Sequence, residues 1–128
     1  MKYYVDLHIH SALSPCADDD MTPNNIVNMA LLKGLDIISV TDHNSAENLE
    51  AVIKCGERSG ILVVPGMEIE TMEEVHVVCF FPSLGKALEM QQEVYKALPD
   101  IKNRPDIFGN QLIFDEQDNI IEFLDRML

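Results

Sequence analysis

Apolar and polar positions alternate along Tyr3–Ile9. Tyr3, Val5, Leu7 and Ile9 share one face, and Tyr4, Asp6, His8 and then His10 share the other. A period of two predicts a strand whose apolar face packs under helices and whose histidine face opens onto a site. After a loop over residues 11–21, Thr22-Pro23 reads as an N-cap and first helical residue. That helix runs from about Pro23 to Lys33, with Ile26, Val27, Ala30 and Leu31 as its buried stripe and Gly34 as its C-cap. The continuous apolar run Leu35–Val40 predicts a buried strand. Asn44, three residues before Glu47, predicts a capping box for a helix reaching about Arg58, with Leu49, Val52 and Ile53 facing inward and Gly60 ending it. Ile61–Val64 predicts a third buried strand. Strands and helices alternating at this spacing imply a parallel sheet with right-handed crossovers.

The rhythm changes at Pro65. Met67–Thr71 and Val75–Phe81 predict two strands with little between them, an antiparallel excursion. Leu84–Leu98 carries a helical pattern through Leu88, Val94 and Leu98, and Pro99 and Pro105 break the segment 99–109. Leu112–Phe114 predicts a strand. Ile120–Leu128 predicts a strand running into a short helix that buries Phe123, Leu124 and Leu128. The 128 residues contain no internal repeat or linker and suit a single α/β domain, 1–128.

Acidic residues number 22 against 9 basic ones, a formal charge of -13. Such a balance disfavours free binding to nucleic acid or anionic membrane. It is compatible with phosphorylated substrates, because divalent cations reverse the local potential. No apolar run has membrane-spanning length and no secretory leader is evident, so a cytoplasmic protein without a membrane partner is expected. Cys16, Cys55 and Cys79 are irregularly spaced and odd in number, which fits reduced thiols rather than a disulfide scaffold.

The four histidines all fall at strands or strand ends, each near a carboxylate. His8 and His10, on alternate residues of one strand, can converge on one cation. Asp42 and His43 follow the second strand, Glu68 follows the Pro65-Gly66 break, and His76 lies on the next hairpin. In parallel α/β folds those strand ends face the functional side. The candidate metal ligands are therefore His8, His10, His43, Glu68 and His76, with Glu68 placed to bridge two ions and act in catalysis. Asp42 is a second catalytic candidate, either ligating or holding a histidine ring nitrogen. Cys16 is a candidate ligand, an inert thiol, or a neighbour of the site, and Asp18 could take its place. Asp6 shares the histidine face and could orient a ring. Histidine and carboxylate donors suit zinc, manganese or iron. No Gly-rich phosphate loop and no nucleophile elbow is present, which argues against nucleoside-triphosphate and serine-hydrolase chemistry.

Asp6-Leu7-His8-Ile9-His10-Ser11, Thr41-Asp42-His43-Asn44 and Pro65-Gly66-Met67-Glu68 resemble the opening motifs of the PHP family, the polymerase and histidinol phosphatase domain. The resemblance implies a distorted (β/α)7 barrel of the PHP type, with a two- or three-metal cluster at the C-terminal ends of its strands. It implies a metal-dependent phosphoesterase, a phosphatase or phosphodiesterase, acting on a phosphorylated small molecule or nucleotide. His8 and His10 would hold one metal, Glu68 would bridge it to a second served by His76, and His43 would serve a third with the residue near Cys16. Family members place a further histidine and an Asp-x-His pair on later strands. Here no histidine follows His76. The expectation is thus a partial barrel lacking its C-terminal strands, weak hydrolysis by the 128 residues alone, and a homodimer that covers the open sheet edge. Two alternatives stand beside it: a non-catalytic metal-binding or scaffolding domain with an incomplete ligand set, and a related metal-dependent amidohydrolase.

Overall fold

A computed structural model describes residues 1–128. β1 (Val5–Ile9), β2 (Ile37–Val40) and β3 (Leu62–Val63) form a parallel sheet in that order, joined by the crossover helices α1 (Pro23–Leu32) and α2 (Leu49–Ser59). β4 (Gly66–Glu70) and β5 (His76–Phe80) form an antiparallel hairpin. Then come α3 (Leu84–Ala97), the one-turn α4 (Pro105–Phe108), and a second antiparallel pair, β6 (Leu112–Phe114) and β7 (Ile120–Phe123). The result is an α/β architecture of parallel and antiparallel strands that does not close into a complete barrel.

The core lies between the parallel sheet and its helices. Ile38 and Val40 of β2 meet Ile26, Val27 and Ala30 of α1 and Leu49, Val52 and Cys55 of α2. Met67 and Ala87 extend this cluster to β4 and α3. Thr22 caps α1 by accepting from the Asn25 N–H at 3.3 Å, with Pro23 behind it, as the sequence pattern predicts. The turn of the last hairpin reinforces that end: Asp118 accepts from the Thr22 hydroxyl at 2.6 Å and the Asn24 N–H at 3.0 Å.

A backbone bridge carries the sheet from β2 to β4. The Glu68 N–H donates to the Asp42 carbonyl at 3.0 Å, and the Asn44 N–H donates to the Glu68 carbonyl at 2.9 Å. The approach needs a glycine at the start of β4. A Cβ on Gly66 would collide with the Ser39 hydroxyl and come within 2.7 Å of the Thr41 methyl.

Several elements depart from the pattern-based expectations. The N-terminal part of the first strand is not covered: Tyr3, Tyr4 and Val5 are exposed, because β1 is an edge strand and only Ile9 reaches the core. Leu31 is exposed at the end of α1, while Pro23, at its start, joins the buried stripe. The Asn44–Glu47 capping box does not form, and α2 starts at Leu49. Asn44 takes a left-handed φ of 53° and its side chain accepts from the Glu70 N–H, while Glu47 accepts from Gln91. Asn48 stands at the cap, but its side chain ties Ser11, Leu112 and Phe114 together. At the C-terminus no helix follows β7 and Phe123 is exposed, since β7 is the outer strand of a two-stranded pair. Residue Arg126 instead bridges antiparallel to Lys102, and its guanidinium donates to the carbonyls of Tyr95 and Leu98 at the end of α3.

Val52 is fully buried where α2 meets the sheet. Val52→Asp should lower the unfolding free energy by roughly 3–5 kcal/mol, since it leaves an unpaired buried charge. Urea denaturation measures this, and a midpoint unchanged from the parent chain would contradict the packing described.

Candidate metal centre

Four imidazoles converge on one carboxylate. Glu68, in the middle of β4, is only 5% exposed, and the bridge to β2 fixes its backbone. His8 Nε2 lies 2.7 Å from Glu68 Oε1, and His43 Nδ1 lies 2.9 Å from Oε2. His76 Nδ1 and His10 Nε2 stand 3.5 and 3.7 Å from Oε2. His8 and His10 approach each other through their Nε2 atoms at 3.3 Å, and the rings of His10 and His43 stack with centroids 4.5 Å apart. Alternation along β1 puts the first two rings on one side. The β2–β4 bridge delivers His43 beside Glu68, and the register of the β4–β5 hairpin brings His76 opposite Glu70, within reach.

Three overlapping donor sets result: His8, His10 and Glu68; His43, Glu68 and His76; and His10, Cys16 and His43. Within each set the ligand atoms lie within 4.8 Å of one another. Glu68 has no lysine or arginine partner; histidines alone surround it. Burial holds the pKa of His10 and of His43 below the ordinary histidine range, and their histidine neighbours add to this against the pull of Glu68. Both rings are therefore neutral at pH 7 and offer lone pairs. Burial opposes ionisation of Glu68, but His43, His10 and His8 together outweigh it and keep the carboxyl below its ordinary range. Neutral imidazoles around an ionised carboxylate fit a divalent cation, and His8 and His76 on the exposed rim leave a way in.

Asp42 is not among these donor sets. It is buried, and it accepts from the Ser11 N–H at 2.7 Å, the Ser11 hydroxyl at 2.6 Å and the Ser14 hydroxyl at 2.8 Å. Burial pushes its carboxyl above the usual range, against the pull of those serines. Its side chain hydrogen-bonds to no histidine directly, and Ser14 links it to His10. The Ser14 hydroxyl gives its one proton to Asp42, so it must accept from His10 Nδ1, 3.1 Å away. That fixes the proton on Nδ1 and turns the lone pair of His10 Nε2 toward Glu68. The same hydroxyl oxygen accepts from the His43 N–H at 3.1 Å. Ser14 had no periodic or motif signal in the sequence; only the fold brings Ser11, Ser14 and Asp42 together.

The other candidates divide. Cys16 stands with His10 and His43, exposed, with its thiol pKa raised first by burial and further by Asp42 and Glu68. Asp18 belongs to none of the sets and caps its own turn by accepting from the Asp20 N–H. Asp6 orients no ring: its carboxylate accepts from the backbone N–H of His8 at 3.2 Å. Glu70, absent from the sequence-based set, lies 3.6 Å from His76 Nε2.

A carboxylate ringed by four imidazoles at the strand ends of an open α/β sheet is a candidate centre for divalent metal ions. The PHP domain model matches residues 6–122, and the chain belongs to that family. Its fold is accordingly a partial, distorted barrel of the PHP type. The chain is 36% identical over 113 residues to an uncharacterized protein of Methanocaldococcus jannaschii, covering 85% of this chain and 14% of that protein. It is 31% identical over 78 residues to the phosphoribosyl 1,2-cyclic phosphate 1,2-diphosphodiesterase of Eggerthella lenta, covering 57% and 29%. Among solved structures, a lesion-specific endonuclease of Pyrococcus furiosus superposes with a TM-score of 0.60 at 26% identity, over 75% of this chain and 26% of that one. The chain thus spans well under half the length of these relatives.

Ser14→Ala should weaken metal binding about tenfold, the lower end of what losing an outer hydrogen bond to a metal-ligating histidine costs. Isothermal titration with zinc measures it. An affinity equal to that of the parent chain would show that the hydroxyl does not set the His10 tautomer.

Proposed function

We propose that this chain carries the metal centre of a phosphoesterase, a phosphatase or phosphodiesterase that uses divalent cations. The observation that carries the reading is the placement of four imidazoles within 2.7–3.7 Å of the Glu68 carboxylate. The donors suit two ions. His8 and His10 with Glu68 would hold one, and His43 and His76 with Glu68 the other, three protein donors to each. Three protein donors leave a coordination position open, as catalytic sites require. A third ion would need both His10 and His43 a second time, with Cys16 as its only unshared donor.

Bound cations would supply Lewis acidity and a nucleophile usable at neutral pH. The protein's own part is positional. Glu68 holds the two histidine pairs against one carboxylate, Ser14 sets the His10 tautomer, and Asp42 acts as a positioning residue behind Ser14 rather than as a group touching substrate. No lysine or arginine lines the space beside His43 and His76, so the cations would have to neutralise the substrate phosphate. Support for phosphoester chemistry comes from the diphosphodiesterase and the endonuclease to which the chain is similar. The substrate we propose is a phosphorylated small molecule or nucleotide rather than free nucleic acid, given the net charge of -13. Zinc, manganese or iron would serve. No helix is long and apolar enough to cross a membrane. Three free cysteines support a cytoplasmic setting, and the exposed Tyr3, Tyr4 and Val5 on the β1 edge support pairing with a second copy.

Hydrolysis of phenyl phosphate should require added manganese or zinc and should fall at least about a hundredfold in Glu68→Gln, because a shift of about 1 Å in a catalytic group already costs that much. Steady-state kinetics decides; turnover without metal, or undiminished by Glu68→Gln, would overturn the reading. The third set is tested with cobalt(II). If Cys16 ligates, a thiolate-to-cobalt absorption band should develop in the near ultraviolet and vanish in Cys16→Ser. A band unchanged in that variant, or absent from the parent chain, would remove Cys16 from the ligands.

A further inference from the structure

The β2–β4 bridge carries one rung more than its backbone supplies. Bonds in a parallel ladder are evenly spaced, to and from every second residue. The Asp42 carbonyl accepts from the Glu68 N–H, and the Asn44 N–H donates to the Glu68 carbonyl. The next bond of such a ladder would run from the Glu70 N–H to the Asn44 carbonyl. It runs instead to the Asn44 side chain, whose Oδ1 accepts at 3.0 Å. Asn44 takes a φ of 53°, and the chain leaves the sheet there on its way to α2. The side-chain oxygen thus stands in for a backbone carbonyl that no longer faces β4. The other non-glycine residues with left-handed φ, Glu74 and Asp118, lie in the turns of the two hairpins. Asn44 lies in neither turn and is 4% exposed. Asparagine tolerates this conformation better than most residues, and its short amide can take the place of a backbone group.

We propose that Asn44 is a positioning residue for one half of the metal centre. His43 precedes it in the chain, and its N–H holds Glu68. Its side chain holds Glu70, which pairs with His76 in the β4–β5 register and stands 3.6 Å from His76 Nε2. Asn44 therefore gathers His43, Glu68 and His76, the donors of one set. The other set takes its histidines from β1, where strand alternation places His8 and Ser14 holds His10. Glu68 itself keeps two backbone bonds, to Asp42 and to Asn44, whatever the Asn44 side chain does. Losing the side-chain rung alone loosens the strand beyond Glu68, and His76 with it. The second ion depends on the Asn44 side chain, and the first does not. This assignment rests on the two-ion reading and adds what fixes one ion relative to the other.

The test is a zinc titration of the nitrogen-15-labelled chain, followed through the ring-nitrogen signals of the histidines, which move on coordination. All four histidines of the parent chain should respond. Asn44→Gly keeps the left-handed backbone and removes only the side-chain oxygen. In that variant His43 and His76 should need about tenfold more zinc, the lower end of what losing a hydrogen bond behind metal ligands costs. His8 and His10 should respond as in the parent, which also shows that the variant is folded. Asn44→Asp retains an acceptor oxygen and tolerates the same φ, so it should restore the response of His43 and His76. An unchanged titration in Asn44→Gly, or equal weakening at all four histidines, would overturn the positioning role and leave the metal centre standing. A parent chain whose histidines do not respond to zinc would overturn the metal reading, and the role of Asn44 with it. Hydrogen exchange in the parent chain needs no variant. The Glu70 N–H should exchange as slowly as the Asn44 N–H, and fast exchange at Glu70 alone would overturn the proposal, because the rung would not persist.

Discussion

A buried carboxylate, Asp42, organises the site from behind. Burying a charge costs several kcal/mol unless it is hydrogen-bonded. Here two side-chain hydroxyls and one backbone N–H, all from Ser11 and Ser14, meet that need. The demand therefore pulls the loop after β1 inward, and Ser11, Ala12, Leu13 and Ser14 are all buried although they follow a strand end. Asn48 locks the loop from the other side by donating to the Ser11 hydroxyl, and it joins that point to β6. The Asp42 carbonyl meanwhile accepts from the Glu68 N–H. One residue thereby sets both the loop that positions His10 and the strand that carries Glu68.

The electrostatics of the cluster follow from that frame. With no fixed cation beside it, Glu68 depends on imidazoles, yet burial keeps two of those imidazoles neutral. Such a cluster is better suited to a metal than to a network of protonated histidines, because a cation satisfies the carboxylate and the lone pairs together. The tilted rings of His8 and His10 and the stacked rings of His10 and His43 gather their nitrogens around the Glu68 carboxylate, His8 at Oε1 and the other two at Oε2. An arrangement that gathers like donors around one acidic group has little to offer stability by itself, and its cost is repaid on binding.

Much of this was legible before the structure. Period-two alternation placed His8 and His10 on one face, and the run of strand, helix and strand placed Asp42 and His43 past the second strand and Glu68 past the third, where the structure sets it in the middle of β4. The β4–β5 hairpin was readable from the closeness of its two apolar runs. What could not be read depended on contacts distant in sequence. Asn44 and Glu47 have the spacing of a capping box, but Asn44 is drawn to Glu70 and Glu47 to Gln91. Ser14 carries no periodic signal, and its role arises only once the loop after β1 is packed on Asp42. The exposure of Tyr3, Val5 and Phe123 reflects strand order at the sheet edges, which hydrophobicity along the chain does not encode.

The most direct test is crystallographic. Crystals of the chain grown with zinc, with data collected on both sides of the zinc absorption edge, would locate each ion by its anomalous signal. Two peaks flanking the Glu68 carboxylate are expected, one within bonding distance of His8 and His10 and the other of His43 and His76. A well-ordered map with no zinc beside Glu68, or with Glu68 turned away from the histidines, would contradict the metal centre described.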